Sequence, residues 1–582
     1  MDLLLSLPDG GPVRVSRLSA DDSEEQGILF VEQLPYKPTA CAWHPSGRAL
    51  AVGDDEGNVF ILNADAEEDR RIRELQRLNG TAVAALEWVK FVPESCVLPC
   101  GVFGIGKFPV EDVAGSDPSK ESLLASLSRS GHLAYIADGS LPLADIRLPR
   151  DLNETFCLAC MSPTGRHLIA GSVSNSVWRL WLVDSSVLAN SSRHISEVIR
   201  LQKRALDLMK VVHASIENCT IAWKSHVTEF KSKLGDSDIA ACLIAAKTSL
   251  TADSKLRSHI LESLTPAKLI KWEREDSAVV ETMLTAVIIK ADMCVETLFL
   301  ISLELQNMTS RRLAFLGIDD AADKFVASVK VLRNRLREFQ SSVRLNAASC
   351  RAFFQLATAW FGGPQPEPNL ITALFTARFD PFEQPPDASV KASLKAVECC
   401  IVAMLTDQRV QLSESVVCNS SPICLGECAS MPAIQWKQDD TFNIVWIQNH
   451  TKLHISNCDI GGGARKAVID LDSQPGEWNC VSAYSEDEVC LVVTLAGGLS
   501  SISLLDLREV SLTTVEMKNI ADSDVFGIDA NQLHEAVRAQ QLPSEFCRPE
   551  SLCTSSSRKL ASLIANGRMI TLDMQPDDED NN

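Results

Sequence analysis

The chain has 582 residues, 46% apolar and 23% charged. These are globular proportions, and they exclude a disordered chain, a collagen and a disulfide knot. Lys and Arg total 55 against 76 Asp and Glu, a formal net charge of −21. That argues against general nucleic-acid binding, because phosphate contacts need clustered cations.

A membrane span needs about 20 unbroken apolar residues. The most apolar run, residues 279–305, is interrupted by Glu281, Lys290, Asp292, Glu296 and Glu304, so no membrane contact is expected. The first residues lack the charged start and cleavage pattern of a signal peptide, and none is expected. The N-x-S/T matches at Asn79, Asn153, Asn190, Asn218, Asn307, Asn419 and Asn449 are then chance. The 19 cysteines are odd in number and irregular in spacing. Buried thiols in a reducing compartment are the expectation.

In chain order, residues 1–27 carry the acidic run Asp21–Glu25 and are expected to be a flexible segment. Residues 39–63 then read as three short strands with turns at Pro45-Ser46-Gly47 and at Gly57. Residues 156–184 repeat that layout. After a long interval, residues 432–459, 479–507 and 552–574 show it again. Cys41 and Val83 stand 42 residues apart at like positions, Trp436 and Cys480 44 apart. A period of about 40–45 is that of a WD-type propeller blade. Residues 28–184 and 430–575 each hold between three and four such periods, which together make seven blades.

Between these halves the composition changes. Residues 188–361 contain only Gly235, Gly317 and Pro266, and they carry 24 Lys/Arg against 19 Asp/Glu. That is a net +5 inside a frame that sums to −26. Gly and Pro disfavour helix interiors, so this segment reads as helical. Ile195, Val198, Ile199, Leu206, Met209, Val212, Ile216, Cys219, Trp223, Val227 and Phe230 form one stripe of a long helix ending near Gly235. A short helix through Ile239, Leu243 and Ile244 follows. Thr265-Pro266 is a helix start, a capping hydroxyl before Pro at the first position. Residues 279–305 are apolar on most sides and are expected to be buried between other helices. Asp319 and Asp320 open a helix that runs to Trp360, where Gly362-Gly363-Pro364 stops it. The expectation is an antiparallel bundle over 185–361. A linker with one short helix, near 388–405, then covers 362–429, and an acidic tail covers 576–582. The fold class is therefore mostly β with a large α insertion: a seven-bladed WD-type β-propeller interrupted by an antiparallel helical bundle. Its opening strand, residues 27–32, is expected to complete the last blade.

Chemical motifs are few. Gly101–Lys107 (GVFGIGK) begins like a phosphate-binding loop, but Phe108 and Pro109 follow where a Mg²⁺-binding hydroxyl and a helix start are required. An inter-blade loop is the expected reading. Cys157-x-x-Cys160 lacks a second ligand pair, and residues three apart on a strand face opposite ways, so core thiols are expected. Cys41 and His44 lie by a turn, with no third group to orient a nucleophile–base pair. Ser162-Pro163 falls in a blade turn. Ser421-Pro422 falls in the linker and is the better phosphosite. No catalytic residue, cofactor or metal is expected. From Lys324 to Arg351 the helix opened by Asp319 and Asp320 carries Lys324, Lys330, Arg333, Arg335, Arg337, Arg344 and Arg351, with Glu338 as the one acid of the stretch. Lys330, Arg333, Arg337 and Arg344 are the candidate contact residues for an acidic partner, which Arg suits through bidentate pairing.

The blade ILFVEQLPYKPTACAWHPSGRALAVGDDEGNVFIL, the helical run from LTPAKLIKWERED to LRNRLREF, the segment SCRAFFQLATAWF and the acidic end together resemble the anaphase-promoting complex subunit 4 family. The resemblance covers most of the chain and rests on layout and scattered positions. It implies a propeller with an inserted helical domain. It also implies a scaffold without an active site in a multisubunit ubiquitin ligase that degrades mitotic cyclins and securin. The implied partners are platform subunits 1 and 5 and the cullin/RING module, and the implied location is nucleus and cytoplasm. The competing expectation is a propeller-plus-helix component of a vesicle coat or nuclear pore.

Overall fold

A computed structural model describes residues 3–6, 13–17, 28–32, 35–63 apart from 48, 72–75, 81–90, and 122–234 apart from 138, 140 and 152. It further describes 254–364 apart from 313–315, 387–470, 476–495 apart from 486, 500–516 apart from 509 and 511, 528–529, 537–542, 551–555, 560–565 and 568–574. The loop-like run Gly101–Lys107, the acidic runs at 21–25 and 576–582, and the short helix expected after Gly235 lie outside these residues. Among the described residues, no helix is long and apolar enough to cross a membrane.

The chain divides into two compact units, one of residues 1–196 with 409–582 and one of residues 197–408. The first is almost wholly strand. Its described strands form seven separate sheets, antiparallel throughout except for one short parallel pair. The first is β1 (Leu3–Ser6), β2 (Val13–Arg17) and β3 (Ile28–Glu32). The second is β4 (Pro38–Trp43), β5 (Ala49–Asp54), β6 (Val59–Asn63) and β7 (Ile72–Leu75), and the third β8 (Val83–Lys90), β9 (Ser122–Ser128), β10 (His132–Ala137) and β11 (Leu141–Arg147). The fourth begins with β12 (Thr155–Met161), β13 (His167–Ser174) and β14 (Val177–Asp184). It is completed after the helices by β15 (Val417–Cys418) and β16 (Ile423–Glu427), both paired with β14.

The fifth sheet is β17 (Ala433–Trp436), β18 (Thr441–Gln448), β19 (Lys452–Asp459) and β20 (Gly463–Asp470), joined at its edge by β24 (Thr513–Glu516) and, in parallel, β25 (Ile528–Asp529). The sixth is β21 (Gly476–Ser485), β22 (Glu488–Leu495), β23 (Ser500–Asp506) and β26 (Val537–Gln541). The last is β27 (Ser551–Ser555), β28 (Leu560–Ala565) and β29 (Arg568–Asp573). Two tight hairpins place Asn175-Ser176 and Asn449-His450 at positive φ, the geometry that matches strand twist.

First strands of successive sheets touch: β4 on β8, β8 on β12, β12 on β17, β17 on β21 and β21 on β27. Apolar layers fill the spaces between sheets. Ala51 and Val59 meet Trp88 and Leu124, Leu180 meets Trp436 and Phe442, and Ile455 meets Leu491. Burial between sheets explains why their middle strands read as apolar runs.

Three boundaries differ from the sequence reading. Residues 1–27 include strands β1 and β2. Strand β3 pairs with β2, and among the described residues it makes no pairing with β27, β28 or β29. The 362–429 segment holds a longer helix than expected and the strands β15 and β16, so the β structure resumes before residue 430. Strand β16 is five residues long, flanked by Pro422 and carrying Gly426 at positive φ. Only its pairing with β14 makes it a strand, and that partner is more than 230 residues away in sequence.

The helices are α1 (Ser186–Asn190), α2 (Ser192–Leu234), α3 (Ser254–Ser263), α4 (Pro266–Leu284), α5 (Asp292–Arg312), α6 (Asp319–Trp360) and α7 (Ala388–Ser415). A π-helical turn, Thr285–Ala291, joins α4 to α5. Its widened backbone loosens the usual bonds, and the buried Gln340 amide donates to the Val287 carbonyl at 3.4 Å. Thr265 caps α4 by accepting from the Lys268 amide, and Pro266 follows it. Helices α2 and α7 run in opposite senses: Gln202 meets Gln408, and Thr220 meets Asp387. Helix α6 likewise runs against α5 and α4, with Arg333 at Glu296, Gln340 at Val287 and α4 packed along it.

The 279–305 run is not buried on all sides. Cys294, Val295, Leu298, Ile301 and Leu305 are buried, and α5 packs along α6. Ile289, Met293, Leu300 and Leu303 lie on the opposite stripe, 38–55% exposed. A helix packed along one side buries only that side, whatever its composition.

Candidate functional site

The sequence singles out a basic face on α6. All four candidate residues lie on α6, where 100° per residue brings Arg333 and Arg337 together. Both meet one acid: Glu296 of α5 accepts from Arg333 Nε at 2.6 Å and from Arg337 Nη2 at 3.2 Å. The Arg333 guanidinium also lies over the Phe299 ring, 5.1 Å from its centroid. Arg335 pairs with Glu338. Lys330 and Arg344 are exposed and make no ion pair among the described residues. The structure therefore divides the four: Arg333 and Arg337 fasten α6 to α5, and Lys330 and Arg344 present their charge outward.

The weaker motifs resolve as turn and core chemistry. His44 Nδ1 accepts from the Ser46 amide at 3.0 Å, and its ring meets Trp88 edge-on. The Ser162 hydroxyl is fully buried and accepts from the His167 amide. Ser421 is exposed, between β15 and β16. Cys157 and Cys160 pack against the same apolar cluster. The expected opposite facing fails because the pairing of β12 with β13 slips between Phe156 and Leu158, and Cys157 falls in the slip. Burial pushes the Cys157 thiol up to about 11 and the Cys160 thiol higher still. Neither is a nucleophile at neutral pH.

One cluster was not found from sequence. His226, Asp276 and Cys350 meet inside the helical unit, 1%, 3% and 1% exposed. Helix α2 brings His226 on the stripe of Trp223, Val227 and Phe230. Helix α4 brings Asp276 on its inner face, with Leu269, Trp272 and Met283. Helix α6 brings Cys350. Asp276 Oδ1 stands 2.6 Å from His226 Nδ1, and Cys350 Sγ stands 3.4 Å from His226 Nε2. The Cys350 thiol also donates to Asn346 Oδ1, one turn back on α6, at 3.5 Å. Aromatic rings close the surroundings: Phe230 lies 4.6 Å from His226, Trp272 4.9 Å from Phe230, and Phe354 5.0 Å from Trp272, centroid to centroid.

The order carboxylate, imidazole, thiol is that of an orienting acid, a base and a nucleophile. The environment opposes that use. Burial first, and then the charge of Asp276, hold the Cys350 thiol well above its ordinary value. The three side chains are also closed off from solvent. A local clue existed in sequence: Asp276 interrupts an apolar face at the i+7 position from Leu269, and a buried acid needs a partner. Nothing local says which residue that partner is.

Comparison with known proteins adds little. No family model matches the chain, and no curated protein matches it. Among solved structures, the Chaetomium thermophilum Sqt1 bound to the N-terminus of ribosomal protein L10 is similar at 16% identity and a TM-score of 0.22. That likeness covers 29% of this chain and 37% of the other, so this chain spans well under half of the protein it resembles.

Proposed function

We propose that this chain is a non-catalytic scaffold subunit of the anaphase-promoting complex, linking its platform subunits to the cullin/RING module in nucleus and cytoplasm. The observation that carries the reading is the break in the fourth sheet. The chain leaves after β14, builds the helices, and returns as β16 on the edge of β14. A helical domain inserted within one sheet is the layout that the family resemblance implies.

We read the seven sheets as blades of a single ring. Support comes from the sequential contacts of their first strands and from the apolar layers between neighbours. Rigid blades suit a scaffold, because a partner then meets a surface that needs no ordering. The exposed stripe of Ile289, Met293, Leu300 and Leu303 gives the helical unit an apolar face of the kind found at protein contacts.

Affinity purification of the full chain, with mass spectrometry of the chains bound to it, tests the reading. Cullin, RING and platform subunits are the expected set. A vesicle-coat or nuclear-pore set, or no stable partner, would overturn it.

A further inference from the structure

The Cys350 thiol carries one proton and has two acceptors, His226 Nε2 at 3.4 Å and Asn346 Oδ1 at 3.5 Å. The place of that proton is thus walled by sulfur, nitrogen and oxygen. A tetrahedral zinc ion with bonds of about 2.0 Å to nitrogen, 2.1 Å to oxygen and 2.3 Å to sulfur holds its donors about 3.5 Å apart. The two separations from Cys350 Sγ match that spacing. Asp276 stands on the far side of the imidazole at 2.6 Å, against Nδ1. The negative charge of a carboxylate at that distance favours the ring proton on Nδ1, with the Nε2 lone pair then facing the thiol. It is the arrangement by which outer carboxylates orient zinc-binding histidines.

We propose that His226, Cys350 and Asn346, backed by Asp276, form a structural site for a divalent metal ion of borderline softness, best matched by Zn(II). Charge favours that class. A thiolate and a carboxylate supply two negative charges, which a divalent cation neutralises inside an apolar core. The donor types fit as well, since imidazole and thiolate select zinc over magnesium or calcium. Binding is a ligand exchange with no change of oxidation state: the S–H bond breaks, a sulfur–metal bond forms, and the proton leaves to solvent. The remaining coordination position falls to a water that enters with the ion. The ion would tie α2 to α6, two helices whose contact residues lie 124 positions apart in sequence.

The test uses the full-length chain purified without added metal. Elemental analysis is expected to find about one zinc per chain. After removal of zinc by a chelator, Co(II) titration is expected to produce a thiolate-to-cobalt charge-transfer band in the near ultraviolet, together with tetrahedral visible bands. Cys350→Ser is expected to abolish the charge-transfer band. Asp276→Asn is expected to weaken Co(II) binding about 10- to 100-fold. His213→Gln, on the exposed face of the same α2 helix, is expected to bind as wild type. A wild-type chain that carries no zinc and gives no thiolate–cobalt band overturns the proposal, even where the variants fail to fold. So does a band that survives Cys350→Ser, because it would belong to other cysteines.

Discussion

Arg409, near the end of α7, donates from Nη2 to the Asp145 carboxylate on β11, across 264 positions of sequence. His132 of β10 approaches the same carboxylate, and the Asp145 amide donates to Ser413 Oγ at 2.7 Å. The last turns of α7 are thereby fixed on the third sheet before the chain re-enters the fourth. Burial alone would raise the Asp145 carboxyl, but His132 and Arg409 outweigh it and hold the group below its ordinary value. A carboxyl lowered on folding stabilises above its unfolded value, and that stability is lost as pH falls through the folded one. Asp145→Asn is therefore expected to cost about 1–2 kcal/mol at pH 7, discounted for partial exposure, and less at pH 3. Urea melts at the two pH values measure this, and an equal cost at both would show that the charge is not responsible.

Glu87, on β8 between buried Leu86 and Trp88, behaves in the opposite way. Burial raises its carboxyl to about 7. The folded chain then binds the proton more tightly than the unfolded chain, so stability falls as pH rises from about 4.5 to 7. Glu87→Gln is expected to raise stability at pH 8 by about 1–2 kcal/mol and to leave it unchanged near pH 4. Thermal melts across that range check it, and a variant less stable than wild type at pH 8 would sink the account.

The pairing of Arg333 and Arg337 with Glu296 changes which substitutions probe a partner. Arg333→Glu with Arg337→Glu places three acids together and is expected to loosen α5 from α6. Any lost partner would then report damage within the chain. Lys330→Glu with Arg344→Glu is expected to leave the melting temperature within a degree or two of wild type, because exposed, unpaired charges contribute little. Comparative co-purification from cells shows whether that outward charge contacts an acidic neighbour.

Helix α5 offers a paired test of inside and outside. Leu298 is fully buried and Leu300 is 46% exposed. Leu298→Ala is expected to cost about 2–5 kcal/mol through lost contacts and a cavity. Leu300→Gln is expected to stay within about 0.5 kcal/mol. Comparable losses by chemical denaturation would mean that the stripe holding Leu300 is covered.

Gly131, in the turn from β9 to β10, sits at φ +82°, and a Cβ there would come within 2.6 Å of the Phe156 ring. Gly131→Ala is expected to cost more than about 1 kcal/mol, from backbone strain and from displacement of a core aromatic. Gly47→Ala, at φ +70° but in open space, isolates the strain alone. Equal losses at the two sites would exclude the contribution of Phe156.

Sequence by itself determined what is local. The scarcity of Gly and Pro over residues 188–361 dictated helix. Thr265-Pro266 started α4, and Gly362, at φ +88°, ended α6. Alternating and continuous apolar runs marked the strands of the second, fourth, fifth, sixth and last sheets, because a hairpin strand is recognised by its own pattern and by the turn beside it. Tertiary structure decided what depends on a distant partner. Strand β16 exists because β14 offers an open edge, and β1 and β2 exist because they pair with each other and with β3. Arg333 and Arg337 share a face by helical periodicity, yet only the packing of α5 on α6 brought Glu296 to them. His226, Asp276 and Cys350 are an ordinary histidine, acid and cysteine along the chain. They become one buried cluster only where three helices meet, and no local pattern encodes which residues stand opposite one another there.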